Sequence, residues 1–153
     1  MTSETKPVAH FHSIAQAIIG YLEQADEVYV CSCWVSHPLI LEALSQNDTT
    51  LLMSHTPRVD PHHPEYDRIF CQYLRDITSV HMYPDPYQLV HHKYVVLLKD
   101  HKPYAVITGS YNLTYAADAN IENMVYLPFP DLARAYTENF RTLLALSPKL
   151  NFE

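Results

Sequence analysis

Residues 89–127 read LVHHKYVVLLKDHKPYAVITGSYNLTYAADANIENMVYL. Three apolar runs in this stretch predict β-strands, because β-branched and aromatic side chains favour extended backbone. The predicted strands span residues 89–98, 104–108 and 123–127. Polar residues 99–102 separate the first two runs and predict a hairpin loop. The second half of the chain therefore predicts several strands clustered in one sheet.

The first half of the chain alternates helical and extended patterns. Apolar residues recur at helical spacing in residues 11–24, 39–44 and 65–77, and again near the end in residues 130–146. Short apolar runs typical of strands occur at residues 28–35, 49–54 and 80–83. This order predicts an α/β fold, with a mixed β-sheet flanked by helices on both faces.

Length and charge limit the organisation of the chain. Its 153 residues predict one domain, residues 10–153, after a polar N-terminal segment, residues 1–9, that we expect to be a flexible tail. The formal net charge of −7 argues against a broad basic surface for nucleic acid. A local phosphate site remains compatible with that charge, because a few cations can converge on one cleft.

The number of cysteines and the hydropathy of the chain predict its cellular location. Three cysteines are an odd number, which does not favour a disulfide framework, and a reducing cytoplasmic location is expected. Cys31 and Cys33 fit small hydrophobic residues of a buried strand better than metal ligands. No run approaches the roughly 20 apolar residues of a transmembrane segment. No spacing of His and Cys residues predicts a metal or cofactor site.

The first chemically suggestive pair is His91 with Lys93. Alternate residues of a strand share a face, so the predicted strand puts this imidazole and this ammonium side by side. Burying such a pair is costly without an anionic partner. A phosphate group would supply that partner.

Three further candidates follow in the same stretch. Ser110 and Asn112 come after the second strand of the stretch, and both can donate hydrogen bonds to phosphate oxygens. Gly109, one of only two glycines, would let the backbone approach a ligand closely. Glu122 precedes the last strand, where its carboxylate could accept the second ring N–H of His91 and fix its tautomer.

Each feature taken singly has an ordinary explanation. A lone histidine at a strand start is commonly structural, Ser-x-Asn is commonly a turn, and a glutamate before a strand is commonly solvated. Tyr111 and Tyr115 could stack on a substrate, but packing is the more common role of tyrosine. The order and spacing of the whole set favour the functional interpretation.

The set resembles the signature of the phospholipase D superfamily. The matching residues are His91-x-Lys93, Gly109-Ser110-x-Asn112 and Asn120-x-Glu122-Asn123. The likeness is to the single-motif branch, which contains small nucleases and mitochondrial cardiolipin hydrolase-like proteins. Residues 28–44, VYVCSCWVSHPLILEAL, also resemble the first strand and helix of that family.

The resemblance implies a metal-independent phosphodiesterase that needs no cofactor. It implies that His91 attacks phosphorus to form a phosphohistidine, that Lys93, Ser110 and Asn112 hold the non-bridging oxygens, and that Glu122 orients His91. Tyr111, inside the motif, becomes a candidate substrate contact. The family uses two His-x-Lys motifs in each active site and this chain has one, so a homodimer is expected.

One position departs from the family pattern. The pattern places an aspartate seven residues after the histidine, where this chain has Leu98. Asp100 lies two residues further on. Either Asp100 takes over that role through a shifted hairpin, or the role is absent.

Three functions remain open. The leading one is a nuclease acting on DNA or RNA, which requires cations to gather near the cleft; the candidates are Arg58, Arg68, Arg75, Lys99 and Lys102. The second is a phospholipid phosphodiesterase, although no basic amphipathic helix or anchor is evident. The third is a catalytically weak nucleic-acid-binding or regulatory module with the same fold, which Leu98 motivates.

Overall fold

The computed structural model describes residues 6–152. Seven strands form the sheet: β1 Val8–His10, β2 Glu27–Ser32, β3 Asp48–Met53, β4 Ser79–Met82, β5 Lys93–Lys99, β6 Lys102–Gly109 and β7 Met124–Leu127. Four α-helices accompany it: α1 Ile14–Gln24, α2 Pro38–Ser45, α3 Arg68–Arg75 and α4 Pro130–Ala145. Two short 3-10 helices lie at Pro57–Val59 and Ala116–Ala119.

The strand order across the sheet is β1-β7-β6-β5-β2-β3-β4. The β2–β3 and β3–β4 pairs are parallel, whereas the remaining pairs are antiparallel. Helix α2 connects β2 with β3 and helix α3 connects β3 with β4, as parallel neighbours require a crossover. The predicted mixed sheet is confirmed.

Helices cover both faces of the sheet, also as predicted. Alternate residues of one strand serve the two cores: Val95 packs in the cluster that contains α1, α2 and α3 residues, whereas Val96 packs in the cluster with Ala133 and Phe140 of α4. Both valines are almost completely buried. This two-sided burial explains why β5 is a continuous apolar run instead of an alternating one.

The prediction of a flexible N-terminal tail is wrong for residues 8 and 9. Val8–His10 forms β1, which pairs antiparallel with β7 at the edge of the sheet. His10 also makes a 2.7 Å hydrogen bond between its Nε2 and the Tyr21 hydroxyl. Backbone pairing with β7 stabilises this strand, and three residues are too few to show a periodic pattern. Residues 1–5 of the predicted tail lie outside the described residues.

Strand β5 is shorter than predicted at its start. It begins at Lys93, so His91 and His92 precede it. The predicted hairpin after it is present, and Asp100 and His101 form its turn with φ angles of 50° and 64°. Positive φ at both turn residues matches the twist of a two-residue hairpin, although glycine and asparagine are the usual occupants.

Candidate active site

The predicted site residues meet at one edge of the sheet. Lys93 begins β5, Gly109 ends the neighbouring β6, and Met124 begins β7 on the far side of β6. The pairs Tyr94 with Thr108 and Gly109 with Met124 set this register. Since neighbouring strands lie roughly 5 Å apart, the backbones of the three strand ends fall within about 10 Å.

His91 and Lys93 lie in contact at this edge. The Lys93 Nζ is 3.3 Å from the His91 Nδ1 and donates a 2.9 Å hydrogen bond to the His91 carbonyl. An ammonium group can only donate, so Nδ1 is the acceptor and a neutral His91 ring carries its proton on Nε2. His91 is exposed and Lys93 is half-buried, which leaves both open to a ligand.

A buried serine holds the backbone in front of His91. Ser54 Oγ accepts a 2.8 Å hydrogen bond from the Val90 N–H and lies 3.2 Å from the Val90 carbonyl. The Cys33 N–H donates to the His92 carbonyl at 3.2 Å. Ser54 was not among the predicted site residues. Its one signal in the sequence was a hydroxyl at the end of a buried apolar run.

The second part of the site is a hydrogen-bonded set. Ser110 Oγ donates to Glu122 Oε1 at 2.5 Å, and Asn120 Nδ2 donates to Glu122 Oε2 at 3.1 Å. The Asn123 N–H donates to Ser110 Oγ at 3.0 Å. Ser110 is therefore oriented by two neighbours, Glu122 and Asn123, and Asn120 holds the other oxygen of Glu122. This part of the site is ordered by its own bonds.

No hydrogen bond joins Glu122 to His91 within residues 6–152, so its role in orienting His91 stays a prediction. Its two carboxylate oxygens accept hydrogen bonds from Ser110 and Asn120. The strand order gives the reason. Glu122 precedes β7, and β6 lies between β7 and β5, so Ser110 at the end of β6 is the nearer partner.

Gly109 allows two strands of the sheet to approach each other closely, and its predicted approach to a ligand stays a prediction. A Cβ at this position would lie 2.2 Å from the Asn123 carbonyl oxygen and 2.8 Å from the Met124 Cα. Its φ is not positive. The missing side chain therefore allows β6 and β7 to approach where Ser110 and Asn123 meet.

Tyr111 lies in the core, which contradicts its predicted contact with substrate. It is 1% exposed, and its hydroxyl donates a 2.6 Å hydrogen bond to Asp118 Oδ1. Burial first, and then the hydrogen bond and charge of Asp118, raise the pKa of Tyr111 far above its ordinary value. The other Asp118 oxygen lies 2.9 Å from Nε2 of the buried His37. Asp118 thus links the Ser110–Asn112 segment to the start of α2.

Asn112 sits between the sheet edge and a cavity. Its Oδ1 is buried without a hydrogen-bond partner. A buried carbonyl oxygen without a partner carries a desolvation cost of about 1–3 kcal/mol. The residue lines a cavity of about 530 Å³ together with Trp34 and Asn120.

Asp100 lies far from His91 of the same chain, as does Leu98, the position at which the family pattern has its aspartate. Asp100 lies in the turn at the opposite end of β5, and seven residues of strand span roughly 23 Å. Leu98 is buried in the core on the α4 side.

Of the five candidate cations that a nuclease would need near the cleft, two lie far from His91 and a third pairs with an acidic residue. Lys99 and Lys102 pair with each other at the hairpin end of β5 and β6, far from His91. Arg58 approaches the site but forms a 2.8 Å ion pair with Asp67. The positive charge at the sheet edge therefore rests mainly on Lys93.

No helix within residues 6–152 is long and apolar enough to cross a membrane.

Burial raises the pKa of the Cys31 thiol to about 12. Cys31 packs in the α4-side core, so the expected role as a core residue is the one observed.

Comparisons with known proteins connect this geometry to a family. The model of a family described as "Cardiolipin synthase, PLD-like domain" matches residues 18–144. The match covers the predicted site residues and most of the chain. A search of curated proteins found no significant match.

Solved structures share the fold at low sequence identity. Nuc from Salmonella typhimurium, described as a phospholipase D family member, superposes with a TM-score of 0.73 and 18% identity over 96% of this chain and 100% of Nuc. NucT from Helicobacter pylori gives 0.72 and 15% over 95% and 99%. The archaeal chromatin protein TrmBL2, whose structure shows a mode of DNA binding, gives 0.57 and 14% over 96% and 56%.

Proposed function

The chain belongs to the phospholipase D-like family, and from that premise we propose that it is a phosphodiesterase, a nuclease that cleaves DNA or RNA through a phosphohistidine intermediate. One observation carries the proposal: His91 and Lys93 before and at the start of β5 lie at the same sheet edge as Ser110, Asn112 and Glu122. This edge combines a nucleophile, a cation and neutral donors, which phosphoryl transfer requires.

The resting contacts suggest how the site responds to a phosphodiester. Lys93 donates to His91 in the free protein. A phosphate anion is a stronger acceptor than a neutral imidazole, so it draws the ammonium to a non-bridging oxygen. This movement frees Nδ1 of His91, so the ring can lose its Nε2 proton to solvent and take one up at Nδ1, and Nε2 then presents its lone pair to phosphorus. Ser110 and Asn112 donate to the remaining oxygens.

The chemistry then proceeds in two steps. Nε2 of His91 attacks phosphorus, the bond to one ester oxygen breaks, and that oxygen leaves with a proton from a general acid. A water molecule then attacks the phosphorus of the phosphohistidine while the same group takes a proton from the water, and the P–N bond breaks to release the phosphate product and restore His91. Glu122, held by Ser110 and Asn120, keeps the oxygen-binding hydroxyl oriented through both steps.

We propose that the general acid is His91 of the partner subunit in a symmetric homodimer. A single chain supplies one His-x-Lys motif, and a two-fold axis at the sheet edge would bring two together. Exposed apolar side chains near this edge support such a contact. Phe11, Leu39 and Tyr115 line a cavity with Glu122, and Ile121 beside Glu122 is fully exposed.

Hydrolysis of bis(p-nitrophenyl) phosphate in EDTA tests the activity. We expect wild-type turnover that survives chelation, and a loss of at least about 1,000-fold in His91→Ala, since no other group can form the intermediate. His92→Ala is the matched control. The His92 ring packs towards Tyr94, and its backbone contact persists in alanine. Equal losses in both variants would contradict the role of His91.

Mixing of subunits tests the shared site. If each site needs one His91 from each chain, random re-association of equal amounts of wild type and His91→Ala leaves about one quarter of dimers intact. Activity per total protein should then fall to about one quarter of the wild-type value, since the mixed dimers are inactive. A fall to one half only would show that each chain acts alone.

Two other functions have a specific observation behind them. The name of the matching family model refers to a lipid enzyme, and the exposed apolar residues near Glu122 could face a membrane. The DNA-binding protein TrmBL2 shares the fold, and Leu98 departs from the catalytic pattern, which together favour a binding module. Hydrolysis of phospholipid in vesicles would support the first. DNA binding without turnover would support the second.

A further inference from the structure

The cavity lined by Trp34, Asn112 and Asn120 borders both parts of the candidate site. Trp34 lines it, and the Trp34 indole meets the His91 ring edge to face, with centroids 6.5 Å apart. Asn112 and Asn120 line it from the other side. Any group attached to a phosphate held by His91 and Asn112 therefore has this cavity next to it.

The segment that carries Trp34 is fixed to the segment that carries Asn112. Val35 forms a parallel bridge with Leu113, and the N–H groups of Ser36 and His37 both donate to the Leu113 carbonyl, at 2.9 Å and 3.0 Å. The cavity wall is therefore set by backbone bonds. Its volume of about 530 Å³ lies within the range of about 300–1,000 Å³ that is usual for small-molecule sites.

The charges around the cavity are largely paired. The Arg58 guanidinium lies 4.3 Å from the centre of the Phe70 ring and pairs with Asp67 at 2.8 Å. The ion pair with Arg58 and the Phe70 N–H hold the pKa of Asp67 below its ordinary value. Arg58 is thus paired, and the carboxylate of Glu65, which also lines the cavity, would repel an anion, so the cavity favours a neutral occupant over a second phosphate.

Polar groups in the cavity argue against an acyl chain. Thr56 and Thr114 line the wall together with Asn112 and Asn120, and hydrocarbon would leave their polar atoms without partners. Trp34 supplies a flat aromatic surface, 46% exposed. A flat, neutral group with its own donors and acceptors fits both features.

We propose that this cavity is a subsite for the nucleobase next to the scissile phosphate, with Trp34 as its stacking surface. The Asn112 carboxamide, whose Oδ1 has no partner, can turn to accept a base N–H. A base stacked and paired in a duplex cannot enter, so the subsite selects an unpaired nucleotide. This inference rests on the proposed phosphodiesterase function and names what that site binds.

Trp34 is the single tryptophan of the chain, so its fluorescence reports directly on the subsite. The probe is a single-stranded oligonucleotide of ten nucleotides, titrated into the His91→Ala protein to prevent cleavage. The matched ligand is an abasic strand of equal length, which keeps the phosphates and loses the bases. Quenching by the first strand and little change with the second is the expected result.

Substitution of the stacking surface gives the second measurement. Trp34→Ala should weaken binding of a dye-labelled strand by about 5- to 150-fold, the range for loss of one stacked base, and Trp34→Phe should recover much of it. Phe129→Ala is the control. Phe129 is similarly exposed at 41% but lies just beyond the end of β7 that is remote from the site, so its removal should leave binding unchanged.

The possible outcomes test the subsite and the phosphodiesterase activity separately. Equal quenching of Trp34 fluorescence by normal and abasic strands would overturn the subsite. A spectral shift with anionic phospholipid vesicles, without any shift with the oligonucleotide, would also overturn it. Turnover of bis(p-nitrophenyl) phosphate without base-dependent quenching would retain the phosphodiesterase and reject the subsite. Base-dependent quenching without any turnover would retain the subsite and reject the enzyme.

Discussion

The two parts of the candidate site are held in different ways. Ser110 and Glu122 lie within a set of mutual hydrogen bonds that includes Asn120 and the Asn123 backbone. His91 and Lys93 contact mainly each other, and the backbone before them is anchored by Ser54. The first part is held by its own hydrogen bonds, whereas the second would exchange an internal contact for a ligand contact in the proposed reaction.

This difference assigns different tasks to the two parts. A rigid set of donors suits the binding of charge that develops in a transition state, because it needs no reorganisation during reaction. A nucleophile must move relative to phosphorus as its bond forms. We therefore expect substitutions at His91 and Lys93 to change activity with little effect on stability, and substitutions near Gly109 to change both.

After the loss of His91 itself, the largest effect is expected from Lys93→Met. It removes the cation from the sheet edge, and loss of one such electrostatic contact typically lowers turnover by about 100- to 1,000-fold. Thermal stability should change little because the ammonium is not buried. Lys99→Met, at the exposed far end of the same strand, is the control for turnover of bis(p-nitrophenyl) phosphate. Similar losses in both variants would show that net charge matters instead of the site.

Gly109→Ala should have the next largest effect. The new Cβ would meet backbone atoms of Asn123 and Met124, and such overpacking costs about 3 kcal/mol. Urea unfolding measures the loss, and turnover should fall with it because Ser110 moves.

The other glycine supplies the control. Gly20 lies inside α1 with open space where a Cβ would be, so Gly20→Ala should stabilise the protein by about 1 kcal/mol. A neutral Gly109→Ala would show that the β6–β7 contact is not tight.

Ser54→Ala tests the anchor of the backbone that precedes His91 and Lys93. It removes the partner of the buried Val90 N–H, at an expected cost of about 2 kcal/mol. Hydrogen exchange should rise mainly in residues 88–92, and KM should rise more than kcat falls. Ser45→Ala, whose hydroxyl bonds within α2, is the control. Uniform acceleration of exchange along the chain would indicate general destabilisation instead.

The smallest effect is expected at the far end of the β5–β6 hairpin. His101 has a φ of 64°, which costs a non-glycine residue roughly 1 kcal/mol. His101→Gly should raise the free energy of unfolding by up to about that amount while turnover stays constant. Altered turnover would show that the two ends of β5 are coupled.

Much of the fold was predictable because its signals are local. The apolar run at residues 94–98 is buried on both faces, and the periodic apolar residues of α1 and α4 reflect one buried stripe each. The short edge strand Val8–His10 was missed because it depends on pairing with β7. The start of β5 was also missed. Ser54, the residue after β3, holds the backbone of Val90 through its hydroxyl, and this contact between distant residues leaves no local signal.

The sequence by itself determined the α/β class, the residue types of the site and their order along the chain. These follow from hydrophobic periodicity and from a motif within residues 89–127. Only the tertiary structure decided which of them meet. The strand order puts β6 between β5 and β7, so Glu122 contacts Ser110 within the chain. It also puts β2 beside β5, so Trp34, which follows β2, reaches the site, while Tyr111 packs in the core. Contacts between residues far apart in sequence depend on that order, which local patterns do not encode.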